Sequence, residues 1–109
     1  MNSFCAGDYD TAVFEAFKAV ETAVRKKGGY QDSDFGVELM SKAFHPDQGL
    51  LRDQQAARSR RERRQELFKG AIGELRNPKA HGDPTISDPR LAIEEIMTAS
   101  MLLRIVDGI

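Results

Sequence analysis

Apolar residues spaced at helical intervals are the feature that most constrains the fold of this chain. In the segment 8–27 they recur every three or four positions and so form one stripe of a helix, with charged residues around the rest of it. The members of this stripe are Val13, Phe14, Phe17, Val20 and Val24. Sustained period-two alternation and Asn-Gly hairpin turns are missing from the sequence, so strands are not predicted.

The same spacing predicts three further helices. The second lies in segment 34–46, buries Leu39, Met40, Ala43 and Phe44, and ends before Pro46. A third is expected to run from near Arg60 to Arg76. Its predicted buried stripe is Leu67, Phe68, Ala71, Ile72 and Leu75. The last helix begins with Pro89 in its first turn, and either Ser87 or Asp88 serves as its N-cap. The predicted fold class is all-α, an up-and-down bundle of four main helices.

Three segments of this bundle carry additional expectations. The fourth helix is apolar on more than one face, so we expect it to be central or to form an interface. The polar stretch 47–58 is interpreted as a mobile connection. Gly70 and Gly73 interrupt the third helix at a cost of about 1 kcal/mol each, which predicts close backbone approach there.

Length and composition predict one domain in a reducing compartment. A chain of 109 residues is long enough for a single core. No apolar run approaches the ~20 residues that span a bilayer, and the start lacks the features of a secretory signal. Cys5 is the single cysteine, interpreted as an unremarkable thiol that cannot form an internal disulfide. We therefore expect a cytoplasmic protein with no membrane partner.

Arginine is concentrated in one block of a chain whose net charge is −1. Asp53 and Glu62 are the acidic residues of this block. Its six arginines are Arg52, Arg58, Arg60, Arg61, Arg63 and Arg64. The block either binds phosphates or forms a solvated helix face or loose loop, and the sequence leaves both open. Arg58, Arg60, Arg61 and Arg64 are the candidate RNA contacts.

The segment RNPKAH, residues 76–81, combines Arg76 and His81 where the third helix is expected to break. In a straight helix the two side chains would point about 140° apart. Pro78 stops or kinks the helix, which can return His81 toward Arg76. Alternatively, the two residues meet across a dimer axis. A purely structural alternative is a helix stop with Arg76 paired to Glu74 or Asp83.

Arginine and histidine together suit phosphodiester cleavage. A histidine with a pKa near 6.5 can accept a proton from a ribose 2′-hydroxyl or donate one to a leaving 5′-oxygen. Arginine offers several donors to a phosphate on which negative charge develops. This scheme requires no metal, and neither His81 nor His45 lies in a cluster with metal-ligand spacing. His45, before Pro46, is interpreted as a helix end.

A longer set of residues carries a family resemblance. It consists of Glu21, Val24 and Arg25, the segment GVELMSKAF, and the run from Leu67 to His81. Within that run the matching positions are Gly70, Ala71, Gly73, Arg76, Asn77, Pro78 and His81. These residues closely resemble the C-terminal domain of the conserved-hypothetical Ymh group of the HEPN superfamily. The resemblance covers the chain from about Asp8 to its end.

The resemblance implies a dimeric helical bundle with the superfamily's R-x4–6-H motif. Many proteins with this motif are metal-independent endoribonucleases of toxin–antitoxin, abortive-infection or other defence systems, and two motif copies line a cleft between protomers. By this analogy His81 transfers protons, Arg76 contacts the phosphate and Asn77 orients the reacting groups. No cofactor is implied. An antitoxin or an N-terminal domain is an expected further partner.

Two departures from the family pattern bear on this analogy. Asp83 occupies the position that is tyrosine in toxins paired with a minimal nucleotidyltransferase, so regulation by tyrosine modification is not expected. Ymh-type proteins also tend to carry sequence before this domain, which predicts that the chain is an excised domain or a short form. Glu21 and Arg25 are spaced as an i, i+4 helix pair, with support of the motif as the alternative.

Two functions from different classes therefore stay open. One is an RNA-cleaving homodimer, predicted from Arg76, Asn77 and His81 beside a basic segment. The other is a non-catalytic HEPN module that binds a nucleotide or dimerises within a longer protein.

Overall fold

Four α-helices make up the computed structural model, which describes residues 9–75 and 88–109 and contains no strand in those ranges. The helices are α1 (Tyr9–Gly28), α2 (Gly36–Ala43), α3 (Arg58–Leu75) and α4 (Pro89–Asp107). The predicted all-α class with four helices is confirmed. Cys5, Ser87 and the set Arg76, Asn77 and His81 lie outside the described residues.

Local sequence signals set two of the helix ends. Gly29 follows α1 with a φ of 71°, a left-handed conformation that glycine adopts without steric cost. The backbone N–H of Tyr30 then donates to the Arg25 carbonyl at 2.9 Å, which closes the end of α1. At the start of α4, the Asp88 carboxylate accepts from the backbone N–H of Arg90 at 2.9 Å. Asp88 is thus the N-cap, and Pro89 lies in the first turn as predicted.

The core forms where α1 packs against α4 and α2 packs against α3. Most of the predicted stripe positions are buried there, although Phe14 is only partly buried. The Phe44 and Phe68 rings stack with their centroids 4.1 Å apart and join the end of α2 to α3. The prediction that Leu67 is buried is wrong, since its side chain is 39% exposed. It lies beside the buried face of α3, which is centred on Phe68 and Ile72.

Contacts at the helix ends give the directions of the three long helices. The Lys27 ammonium, near the end of α1, donates to the Asp107 and Ile109 carbonyls at the end of α4, so α1 and α4 run in the same direction. Arg64, in the first half of α3, lines the same cleft as Arg104, near the end of α4. Helix α3 therefore runs opposite to α1 and α4. The three long helices alternate in direction, whereas the predicted up-and-down order of four helices would make α1 and α4 antiparallel, and that order is wrong.

The short helix α2 departs from this alternation. Its first turn lies at the second half of α3, because a Cβ on Gly73 would lie 3.1 Å from Val37. Its second turn lies nearer the start of α3, where the Gln65 amide donates to the Ser41 carbonyl at 2.8 Å. Helix α2 is therefore antiparallel to α3 and runs in the same direction as α1. The link 29–35 makes this possible by folding back along α1.

The connection between α2 and α3 is anchored to the core, contrary to our expectation of a mobile segment. Leu51 is 3% exposed, and its N–H donates to the Ala43 carbonyl at 3.0 Å. His45 Nδ1 accepts from the backbone N–H groups of Asp47 and Gln48 at 3.1 and 3.3 Å. The prediction that His45 marks a helix end is confirmed. The polar composition of the segment does not indicate this anchoring, because it depends on one buried leucine and on hydrogen bonds of the turn.

The two glycines of α3 have different surroundings. A Cβ on Gly73 would press on the Val37 side chain, so close approach is confirmed there. For Gly70 a contact between helices is not found in the described part of the chain, where nothing lies within 4 Å of an added Cβ, and a contact with a second subunit stays a prediction.

Gly70→Ala is expected to raise the free energy of unfolding by about 1 kcal/mol, because alanine favours the helix and open space receives its methyl group. Gly73→Ala, the matched control, is expected to gain less or to lose stability, since Val37 must move. Urea denaturation of both variants measures the difference. A destabilised Gly70→Ala protein would show that another surface covers this position.

Candidate functional site

The predicted catalytic set borders the described structure at two helix ends. Leu75 is the last described residue of α3, and Arg76 follows it in the chain. Asn77 and His81 come next, and the chain is described again from Asp88 at the start of α4. In the chain the set therefore lies between the end of α3 and the start of α4.

Carboxylates converge at this end of the bundle. Burial, followed by the negative charges of Asp10 and Glu74, raises the pKa of Glu95. Asp10 comes from the first turn of α1 and is buried. Three helices thus bring acidic side chains together near the end of α3 and the start of α4. No group of three or more metal-ligating side chains forms within residues 9–75 and 88–109.

Neither Asp10 nor Glu95 was among the predicted site residues. A signal was present for Glu95, because it lies within the buried stripe of α4 formed by Ala92, Ala99, Leu102 and Val106. A charged residue in an otherwise apolar stripe indicates a buried or half-buried carboxylate. Only the packing of α1 against α4 shows that Asp10 lies close enough to affect it.

Glu21 and Arg25 connect α1 to the segment that leads into α2. The Glu21 side chain is 1% exposed, and its carboxylate accepts from the backbone N–H of Gly36 at 2.5 Å. It therefore satisfies an N–H group in the first turn of α2 and places negative charge at that helix N-terminus. The Arg25 guanidinium donates to the Asp34 carbonyl at 3.2 Å and the Thr22 hydroxyl at 3.3 Å. The predicted Glu21–Arg25 pair does not form among these contacts, because each side chain has a different partner.

Two of the four candidate RNA-contacting arginines are engaged within the fold. Arg58 forms ion pairs with Asp47 and Glu62. Arg61 donates from Nε to the Pro46 carbonyl at 2.8 Å and from Nη1 to the Ala56 carbonyl at 2.6 Å. Both side chains therefore hold the α2–α3 connection against α3.

The other two candidates, Arg60 and Arg64, are available for binding. Neither side chain forms a hydrogen bond or ion pair with another residue of the described ranges. Arg60 is exposed, and Arg64 is half-buried at the edge of a cleft. Of the four candidates, two therefore make structural contacts, and two have no side-chain partner in the described ranges.

Helix α4 exposes an apolar stripe on the side opposite its core contacts. The stripe consists of Ile93, Met97 and Met101, which recur every four residues and are 48%, 65% and 48% exposed. The buried residues of α4 lie on the face that packs against α1. The helix is therefore peripheral within the described chain. Of the two roles predicted for its apolar surface, a central position is wrong and an interface stays a prediction.

Glu95→Gln is expected to raise the melting temperature more at pH 7 than at pH 4. The pKa of Glu95 is raised in the folded protein. Between pH 4.5 and that raised pKa, the folded state therefore binds more protons than the unfolded state. Stability therefore decreases as pH rises through the window between 4.5 and the raised value, and glutamine removes this loss. Thermal melts at pH 4 to 7 measure it. Exposed Glu94→Gln is the control, and an equal change at every pH would contradict the prediction.

Comparison with known proteins identifies the family. A family model described as a protein of unknown function (Hypoth_ymh) matches residues 1–106. Searches of curated proteins and of solved structures find no match. Within the described ranges no helix combines the length and apolarity needed to cross a bilayer. Because the model spans nearly the whole sequence, the chain belongs to the Hypoth_ymh family.

Proposed function

We propose that this chain is a HEPN-type domain that cleaves RNA without a metal ion and acts as a homodimer. The observation that carries the proposal is the sequence Arg76-Asn77-Pro78, with His81 three residues later, directly after Leu75 in a chain of the Hypoth_ymh family. This combination supplies a proton-transfer group and a permanent cation within six residues.

The proposed reaction is an internal transesterification. His81 accepts the proton of the ribose 2′-hydroxyl as the 2′-oxygen bonds to phosphorus and the bond from phosphorus to the 5′-oxygen breaks. The departing 5′-oxygen receives a proton from the imidazolium of a protonated His81. When both motifs line one cleft, this histidine belongs to the second protomer. Arg76 stabilises the charge on the phosphoryl oxygens, and Asn77 orients the reacting groups. The products are a 2′,3′-cyclic phosphate and a 5′-hydroxyl.

Unpaired cations on α3 support RNA as the substrate. Arg60 and Arg64 lie on the helix that leads to Arg76, and neither has a partner in the described ranges. The rise along α3 from Arg64 to Leu75 is about 16 Å. An RNA strand lying along this helix would contact both arginines through its phosphates, independently of its sequence.

The exposed stripe of α4 supports the homodimer. An apolar row with a four-residue repeat can pack against the same row of a second copy across a two-fold axis.

His81→Ala is expected to abolish RNA cleavage in EDTA, whereas wild-type protein yields fragments ending in 2′,3′-cyclic phosphate. Purified proteins of matched fold and dimer content are incubated with mixed RNA, and product ends are analysed. His45→Asn is the control, because asparagine can still accept from the N–H groups of the turn that His45 holds.

Equal cleavage by wild type and His81→Ala would assign the activity to another nuclease and contradict the proposal. If neither protein cuts RNA while the dimer persists, the non-catalytic alternative is favoured, namely a module that binds a nucleotide or dimerises beside an N-terminal domain or antitoxin.

Met97→Glu is expected to weaken dimerisation at least tenfold, because each protomer would lose a buried apolar side chain and gain a charge in the interface. Sedimentation velocity over a concentration series measures this change. Leu50→Glu, at a 64% exposed leucine outside α4, is the control and should leave dimerisation unchanged. A Met97→Glu protein that dimerises like wild type would exclude this stripe as the interface.

A further inference from the structure

A cleft between the start of α3 and the end of α4 combines cations with an apolar wall. Its volume is about 640 Å³, within the range of small-molecule sites. The cationic side chains lining it are Arg52, Arg64 and Arg104. They come from the α2–α3 connection, α3 and α4 respectively, so only the folded chain assembles them.

These guanidinium groups retain donors for a ligand. Arg64 and Arg104 form no side-chain hydrogen bond or ion pair with any residue in the described ranges. Arg52 donates from Nη1 to the Gly49 carbonyl at 2.7 Å, which fixes its position. Two other arginines of the block, Arg58 and Arg63, instead form ion pairs with acidic residues.

One acidic side chain of the described ranges lines the cleft, against three arginines. Asp53 is the acidic residue among those lining the cleft, and its carboxylate accepts from the backbone N–H of Gln55 at 3.0 Å. Carbonyl oxygens at the end of α4 would repel an anion, but Lys27 donates to those of Asp107 and Ile109. Three arginines therefore outweigh one partnered carboxylate.

We propose that this cleft binds a small phosphorylated ligand of nucleotide size. Arginine guanidinium groups bind phosphate oxygens through several charge-assisted hydrogen bonds, which a diffuse surface charge cannot reproduce. Ile105 and Ile109 supply an apolar wall against which a base can lie, and Gln54 and Gln55 add polar side chains. This proposal does not depend on RNA cleavage, because it uses none of Arg76, Asn77 and His81.

Isothermal titration calorimetry in EDTA tests the site with AMP, adenosine and inorganic phosphate as probes. AMP is expected to bind more tightly than either fragment, because it alone occupies both the cationic and the apolar parts. Arg64→Gln and Arg104→Gln are each expected to weaken AMP binding about tenfold or more. Phosphate binding as tightly as AMP would show a simple anion site and overturn the nucleotide-sized ligand.

Arg63→Gln is the matched control. It removes the same charge from the adjacent position of α3, but Arg63 pairs with Glu66 and does not line the cleft. AMP affinity should therefore stay within twofold of wild type. Equal losses in Arg63→Gln and Arg64→Gln would mean nonspecific charge attraction and overturn the proposal. Thermal melts of each variant confirm that the fold is retained.

His81→Ala separates this inference from the proposed function. The variant is expected to bind AMP like wild type even if it has lost RNA cleavage. Loss of AMP binding in His81→Ala with normal binding in Arg64→Gln would place the ligand at the motif and overturn the cleft. Absence of AMP binding together with His81-dependent RNA cleavage would overturn the cleft and leave the proposed function intact.

Discussion

The buried face of α1 is the contact on which the rest of this structure depends. Helix α4 packs along it, and α2 and α3 contact it as well. Phe17, Val20 and Val24 are fully buried there, each contributing roughly 1.5–3 kcal/mol of favourable burial. Glu21 lies on the same face and accepts the Gly36 N–H, so one helix both forms the core and fixes the start of another.

This arrangement gives the two ends of the bundle opposite electrostatic character. Asp10, Glu74 and Glu95 converge beside the position where Arg76 follows α3. Arg64 and Arg104 line a cleft toward the other end, because α3 runs opposite to α4. Acidic side chains thus gather near the start of α4 and two unpaired arginines of the described ranges near its end.

The arginines of the basic block have different roles, which their local composition does not distinguish. Sequence alone left phosphate binding and a solvated face as alternatives for the whole block. The structure distributes its members among different contacts, with Arg58 and Arg61 holding the α2–α3 connection and Arg60 and Arg64 left unpaired in the described ranges. Local charge density could not reveal this division, since the carbonyls of Pro46 and Ala56 that bind Arg61 are recognisable only in the folded chain.

The sequence by itself determined the helices, because apolar periodicity and capping act over a few residues. Phe17 and Phe68 were placed on buried faces, and Pro89 in the first turn of α4, before any tertiary contact was known. The sequence also contains the Arg76, Asn77 and His81 set, whose chemistry stays a prediction. Tertiary structure decided which helices pack together, that Leu51 anchors the connection, and that Arg52, Arg64 and Arg104 share a cleft. Those outcomes depend on contacts between distant residues, which local propensity does not specify.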